Sequence, residues 1–360
     1  MSTMNADHAG LGQVRDQVAR ALEDFLGQQR AALGAIGDDM LPWGDAIGDL
    51  LAGGKRLRPA FCYWGWRAAG GDDRRQIHAA AAAIELLHAS ALVHDDVMDA
   101  SDTRRGRPSV HRRFAKLHTA AGWRGCAEGF GSGAAILIGD LLLAWTDQLY
   151  QASGLPPDAL RRGQPVLDAM RAEVICGQYL DLLEQSAGDG TVDSALRVVR
   201  YKSAKYTVER PLQLGVALAG PADPAPVVAA CSGYGIAVGV AFQLRDDLLG
   251  VFGDPGRTGK PAGDDLREGK RTALVAIARQ RASVAQRELL DRRLGDRLLD
   301  ETGADQIRTI LTQTGAVAEC ERMIDSCVTE GVAALASAPV TGEARQALAE
   351  LAVTATARSG

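Results

Sequence analysis

Apolar residues along this 360-residue chain recur at spacings of three and four, the period of one helix face. Val174, Ile175, Leu180, Leu182 and Leu183 show the pattern, and residues 236–244 form a nearly continuous apolar run. Strand-like alternation is scarce. Turn-forming clusters cut the chain at 70–73, 122–133, 153–158, 186–190, 220–226 and 253–269, with a last one, SAPVTG, near the end. Between them lie segments of helical length, and together they predict about a dozen helices. Length alone suggests about two domains at roughly 150 residues each. No fixed-period repeat appears and no linker separates two cores, so the pattern predicts one all-α domain spanning residues 1–360.

Composition supports this. Aromatic residues are only 5% of the chain, so the core must come from Ala, Leu, Val and Ile, a mixture suited to closely packed helices. Hydrophobic residues at 46% and charged residues at 24% exclude a disordered or fibrous chain. The net charge of −5 disfavours nucleic acid as a partner. None of the six cysteines forms a CxxC pair, so we expect reduced, mostly buried thiols in a cytoplasmic protein. No signal peptide is visible, and the first ten or so residues are expected to be flexible. The apolar segment 134–145 is interrupted by Asp140 and reads as too short to span a bilayer.

Charge placement says more than charge total. HDDVMD carries Asp95, Asp96 and Asp99, with Asp95 and Asp99 one helical turn apart on one face. Unscreened carboxylates about 4–6 Å apart repel by several kcal/mol at an effective dielectric of about 20. A cation between them removes that cost, and all-oxygen donors select a hard ion such as Mg²⁺, which shares itself with phosphate oxygens. A second pair, Asp246 and Asp247, closes the apolar helix that ends in FQLRDDLLG, with Asp254 further on. Either pair alone reads equally well as a solvated helix end. Two pairs, each ending an apolar helix, point to a metal site.

Cations lie near both pairs. GGKRLRP supplies Lys55, Arg56 and Arg58, and DTRRGRP supplies Arg104, Arg105 and Arg107. Lys202, Lys205, Lys260 and Lys270 follow. Arginine forks suit phosphate and lysine acts as a point charge, so the set predicts diphosphate binding. Singly, each would read as a surface residue. His88 lies seven residues before Asp95, near the same helix face, where its ring can donate to a phosphate oxygen. Two tempting motifs fail. GDPGRTGKP is not a P-loop, because its spacing is one residue too long and Pro261 replaces the Ser/Thr. GFGSG lacks the strand–turn–helix setting of a dinucleotide site.

The ordered set GGKRLRP, ELLHASALVHDDVMD, RRGRP, YKSAKYT, FQLRDD and GDPGRTGKP leading to REGKRT resembles the trans-isoprenyl diphosphate synthases, or polyprenyl synthetases, over about residues 50–275. The resemblance implies an antiparallel helix bundle around a deep central cavity, usually as a homodimer. It implies that Asp95, Asp99 and Asp246, with Asp96 and Asp247 close behind, hold Mg²⁺, three ions when substrate is bound. Arg104, Lys202 and Lys260 match residues gripping the allylic diphosphate, and Lys270 another cation near it. Lys55, Arg58, His88 and Arg105 match the pocket for isopentenyl diphosphate. Ser203 and Gln243 match polar groups near the reacting allylic carbon, with Ser203 standing where the family usually has Thr. The chain departs from the family's DDxxD pattern at Gly250, and Asp254 is one candidate to replace the missing acid.

The implied reaction ionises the allylic C–O bond and adds the carbocation to the double bond of isopentenyl diphosphate. Product length is expected to depend on Ala91, one turn before Asp95, and on Ser90, where bulky aromatics in the family stop growth at fifteen carbons or fewer. Small residues there favour a C20 product, geranylgeranyl diphosphate, with C25 or longer as the alternative. The alanine run 79–83 reads as tight helix packing more readily than as extra tail space. A class I terpene cyclase should carry an N-D-x-x-S-x-x-x-E set, which is absent. A non-catalytic subunit of a heteromeric synthase would normally lose an acidic motif, and both are present.

Overall fold

The computed structural model describes residues 4–187, 190–253 and 263–356, with side chains from residue 11 onward. The expected flexibility of the first ten residues therefore concerns side chains outside the described ones. The all-α expectation holds. Among the described residues the only strands are Thr103–Arg104 and Arg107–Pro108, paired antiparallel. The chain forms two compact units and crosses from one to the other five times. One unit comprises Met1–Asp168, Arg210–Val228 and Pro339–Ala347, and the other Ala169–Glu209, Ala229–Ala338 and Leu348–Gly360.

In the first unit, α1 (Met4–Ile36), α2 (Leu41–Leu51), α3 (Leu57–Ala68), α4 (Arg75–Met98), α5 (Val110–Ala120) and α6 (Ala127–Gln151) precede α7 (Pro157–Ala187), which continues into the second. α4 is the buried axis of this unit: Ile77, Ala80, Ala81, Ala82, Ala83, Ile84 and Leu86 lose all contact with solvent. Those alanines pack against neighbouring helices, as the reading of the 79–83 run anticipated, because a methyl side chain lets helix axes approach closely. The same logic places glycine where α6 crosses its neighbours. A Cβ at Gly139 would overlap the His94 ring of α4, and one at Gly131 would meet the α5 backbone. The GFGSG stretch is thus an ordinary part of a packed helix, and the turn expected over 122–133 ends at Cys126, which caps α6.

The second unit contains α8 (Val192–Val198), a π-helix over Val199–Glu209, α10 (Ala225–Phe252), α11 (Asp264–Glu268), α12 (Ala273–Arg281), α13 (Val284–Arg293), α14 (Glu301–Gln313), α15 (Ala316–Ala336) and part of α16 (Gly342–Thr356); α9 (Arg210–Ala219) belongs to the first. α10 buries Cys231, Tyr234, Val238, Ala241, Leu244, Leu248 and Val251, a three-and-four stripe that extends beyond the apolar run over 236–244. Leu274, Ile277, Ile307, Leu311 and Ile324 from α12, α14 and α15 complete that core.

Two expectations need correction. α4, α6 and α10 are each long and apolar enough to cross a membrane by length and composition. The segment 134–145 was too short only because its helix begins at Ala127, in turns that the glycines disguised. Cys126 and Cys176 are exposed, against the expectation of mostly buried thiols. Cys62, Cys231 and Cys320 are buried, and none of the six is bonded to another.

Candidate active site

The first acidic cluster forms where α4 runs out. Asp95 lies in its last turn, and Asp99 caps it with its N–H donating to the Asp95 carbonyl at 2.8 Å. The carboxylates of Asp95 and Asp99 thus sit at the negative end of the helix dipole, and both are partly exposed. Asp96 differs. It is only 1% exposed and points inward to Arg104, whose Nε donates to Asp96 Oδ1 at 2.9 Å, with a second contact from Nη2. The same guanidinium lies 3.7 Å from Asp95 Oδ2. Arg104 is therefore anchored by one acid and reaches toward the other. Ala100, just past the cap, has φ +52°; among the described residues the other left-handed non-glycine positions are Arg56 and Arg105. All three border the acidic and basic loops, which is where backbone strain tends to be stored.

The donors present suit a hard divalent ion: oxygen-only, anionic, at a helix C-terminus and open to water. Among the described residues no three His, Cys, Asp or Glu side chains gather into a metal cage. A cation here would draw its remaining ligands from water and from a bound anion, as Mg²⁺ commonly does.

A cationic cluster lies in the same unit. Lys55 is exposed and Arg58 half-buried, on either side of buried Arg56. Arg105 donates to the Leu50 carbonyl at 3.0 Å, near the end of α2. His88 holds its pKa well below the ordinary histidine range, first through burial and then through repulsion from Arg58, Arg105, Arg104 and Arg56. A histidine hemmed in by four guanidiniums marks a strongly positive recess, and an anion is the chemistry that relieves it.

In the second unit, Lys202 and Ser203 lie on the π-helix, a winding with one extra residue per turn that is often found at functional sites. Gly177 of α7 and Gly239 of α10 let those helices touch its backbone: a Cβ would fall 2.6 Å from Lys202 Cα and 2.5 Å from Ala204 Cα. Lys202 Nζ bonds Asp181 at 2.6 Å. Ser203 Oγ donates to Gln243 Oε1 at 2.6 Å, and Gln243 Nε2 donates to Asp247 Oδ1 at 2.8 Å. Asp247 is buried, which pushes its pKa up to about 7, and Asp265 and Asp246 add to the rise while Gln243 and Lys270 oppose it. Asp246 is partly exposed. Lys270 Nζ pairs with Asp265 at 3.1 Å and Glu268 at 2.8 Å.

Independent comparisons bear on what these groups do. A family model described as polyprenyl synthetase matches residues 43–311. This chain belongs to the polyprenyl synthetase family. Geranylgeranyl diphosphate synthase of Mycobacterium tuberculosis is 33% identical over 344 residues, 92% of this chain and 90% of that protein. Component 2 of heptaprenyl diphosphate synthase of Geobacillus stearothermophilus is 33% identical over 274 residues, covering 74% and 78%. The structure of a geranylgeranyl pyrophosphate synthase from Corynebacterium glutamicum, solved with isoprenyl diphosphate and magnesium, superposes with a TM-score of 0.91 at 40% identity, covering 97% of this chain and 99% of that one. The protein is a trans-prenyltransferase that is similar to geranylgeranyl diphosphate synthases.

For this polyprenyl synthetase, the departure at position 250 now has a physical reason. A Cβ on Gly250 would fall inside the Asp265 carboxylate. Asp265, from α11, occupies the space that a side chain at 250 would fill, so an acid is present there from another element. Asp254 and Lys260, both singled out from sequence, lie outside the described residues. Glu85, Asp181 and Asp265 went unremarked as site components, and Arg56 was read with Lys55 and Arg58 as a diphosphate-binding cation, not as a buried anchor. Arg56 was one cation in a row of three, and Asp265 sat in a polar stretch without periodicity. Only the depth of Glu85 in an apolar helix run could have signalled it.

Proposed function

We propose that the chain is a Mg²⁺-dependent geranylgeranyl diphosphate synthase, joining dimethylallyl, geranyl or farnesyl diphosphate head-to-tail to isopentenyl diphosphate and stopping at C20. The observation that carries this reading is the pairing, in one unit, of an oxygen-only acidic helix end with a cluster of arginines around His88. Those two surfaces suit a metal-bound diphosphate and a second, metal-free one.

In this reading Asp95, Asp99 and Asp246 hold the metal, which when bound supplies positive charge to the leaving diphosphate. Arg104, fixed by Asp96, adds a guanidinium beside Asp95, and the family resemblance assigns Lys202, Lys260 and Lys270 as further cations for the allylic diphosphate. Charge developing on that group as its C–O bond breaks is stabilised in place. Lys55, Arg58, Arg105 and His88 bind isopentenyl diphosphate and orient its double bond. Ser203 and Gln243 present oxygens near the allylic carbon, where partial negative charge favours a cation. The proton released after bond formation goes to the departing diphosphate, so no strong protein base is required. Ser90 and Ala91, both small, are the residues this reading assigns to the wall that limits the growing tail.

The C20 assignment rests on those two small residues and on the names of the relatives. The heptaprenyl relative favours one second reading, a longer product. A homodimer is part of the proposal, supported by the exposed Phe130, Ile136 and Leu137 on α6; light scattering should return twice the chain mass of 37.9 kDa. The reaction itself is tested by release of inorganic diphosphate from each primer with isopentenyl diphosphate. Release is expected with Mg²⁺ and not with chelator. No release with any primer would leave the non-catalytic subunit as the better account.

A further inference from the structure

Arg56 stands between Lys55 and Arg58 in sequence but behaves unlike either. Its backbone is left-handed, with φ +51°, a conformation an L-residue adopts only where its surroundings impose it. Its side chain is 6% exposed. Nη1 donates to Glu85 Oε2 at 2.5 Å, and Nη2 donates to the carbonyl of Leu51. Leu51 ends α2, where carbonyls find no partner within the helix. Glu85 lies on α4, three residues before His88, and is 4% exposed. One buried guanidinium thus ties the end of α2 and the start of α3 to the middle of α4.

A buried ion pair is poor value for stability alone, because desolvation offsets most of its attraction. Its setting suggests another purpose. Arg56, Arg58, Arg104 and Arg105 all act on His88, and Glu85 is the carboxylate whose charge favours the protonated state of Arg105. Arg105, itself at φ +54°, closes onto the same helix end through the Leu50 carbonyl. The 53–58 loop is otherwise built for freedom, with Gly53 at φ +72° and Gly54 at φ +96°.

We propose that Arg56 and Glu85 are positioning residues: Glu85 is an internal counter-ion that holds Arg56, and Arg56 fixes the 53–58 loop so that Lys55 and Arg58 are preset for a diphosphate. This rests on reading Lys55, Arg58 and Arg105 as the isopentenyl diphosphate pocket. It separates cleanly from a purely electrostatic role. Removing the Glu85 charge makes the recess more positive, which alone would tighten anion binding. Loss of positioning weakens it.

The test is calorimetric titration of isopentenyl diphosphate into the full-length wild type, Glu85→Gln and Arg56→Lys, with KM measured for both substrates. We expect each variant to bind isopentenyl diphosphate about tenfold more weakly, roughly 1.4 kcal/mol. Its KM should rise in parallel, while kcat and the allylic KM stay within about twofold. If a single variant does not fold, Arg56→Met with Glu85→Leu replaces the pair by apolar groups that restore packing, and the same loss is expected. Glu85→Gln binding as tightly as wild type, or more tightly, overturns the inference. A wild type that does not bind isopentenyl diphosphate overturns the pocket reading, and this inference with it.

Discussion

At the scale of single residues, the site is defined by which side chains reach solvent and which are held back. Asp95 and Asp99 are partly exposed while Asp96, between them in sequence, is buried against Arg104. Gly250 makes the same point by omission. Restoring the family acid with Gly250→Asp should impair the enzyme, because Asp265 already fills that space and two carboxylates would be forced together. We expect the Mg²⁺ concentration for half-maximal activity to rise about tenfold or more, since each such carboxylate contact costs on the order of 1–3 kcal/mol. An unchanged metal dependence would show that Asp265 moves aside freely. Ala91→Phe should shorten the main product on extraction and chromatography, as its ring would project one turn before Asp95. His88 gives a pH signature. Its folded pKa is depressed below the ordinary 6.5, so the unfolded chain takes up the proton first. The associated stability is full above about pH 6.5 and is lost as pH falls below it. Urea unfolding at pH about 7.5 and 5.5 should show a smaller loss in His88→Gln than in wild type. His111, also depressed by burial and then Arg112, contributes a similar slope in both proteins.

At the scale of elements, the helices were legible because burial follows period. Tyr234, Val238, Ala241 and Leu244 mark the inner face of α10 in sequence and in space. The first acidic cluster was legible as a helix end, whereas α10 runs on to Phe252 and holds Asp246 and Asp247 inside it, against the expectation that they close the helix. The π-helix was not legible. An extra residue per turn has no side-chain signature, and YKSAKYT reads as an ordinary amphipathic segment. What maintains it lies elsewhere, in Gly177, Gly235 and Gly239 on the helices that press against it. Gly239→Ala would place a methyl 2.5 Å from Ala204 Cα. It should cost about 1–3 kcal/mol in thermal or urea unfolding. Because Ser203 and Gln243 flank the same crossing, turnover should fall more than substrate affinity. A variant with full stability would mean that the two backbones can separate without penalty. Arg56 and Glu85 escaped for a related reason: their importance depends on contact between α2, α3 and α4, which no local pattern records.

At the scale of the whole molecule, a net charge of −5 conceals a strongly uneven distribution. Arginines crowd His88 in one unit, where acids end α4, and in the other unit Asp246 and Asp247 lie within the long apolar α10. Family membership follows from residues 43–311, and the catalytic class with it. Chain length is the finer claim, and it rests on the small side chains at Ser90 and Ala91. Mass spectrometry of the product formed from farnesyl diphosphate, excess isopentenyl diphosphate and Mg²⁺ tests it most directly. The account predicts one five-carbon addition, giving geranylgeranyl diphosphate as the main product, and none without metal. A ladder of longer prenyl diphosphates, or no addition at all, would contradict it.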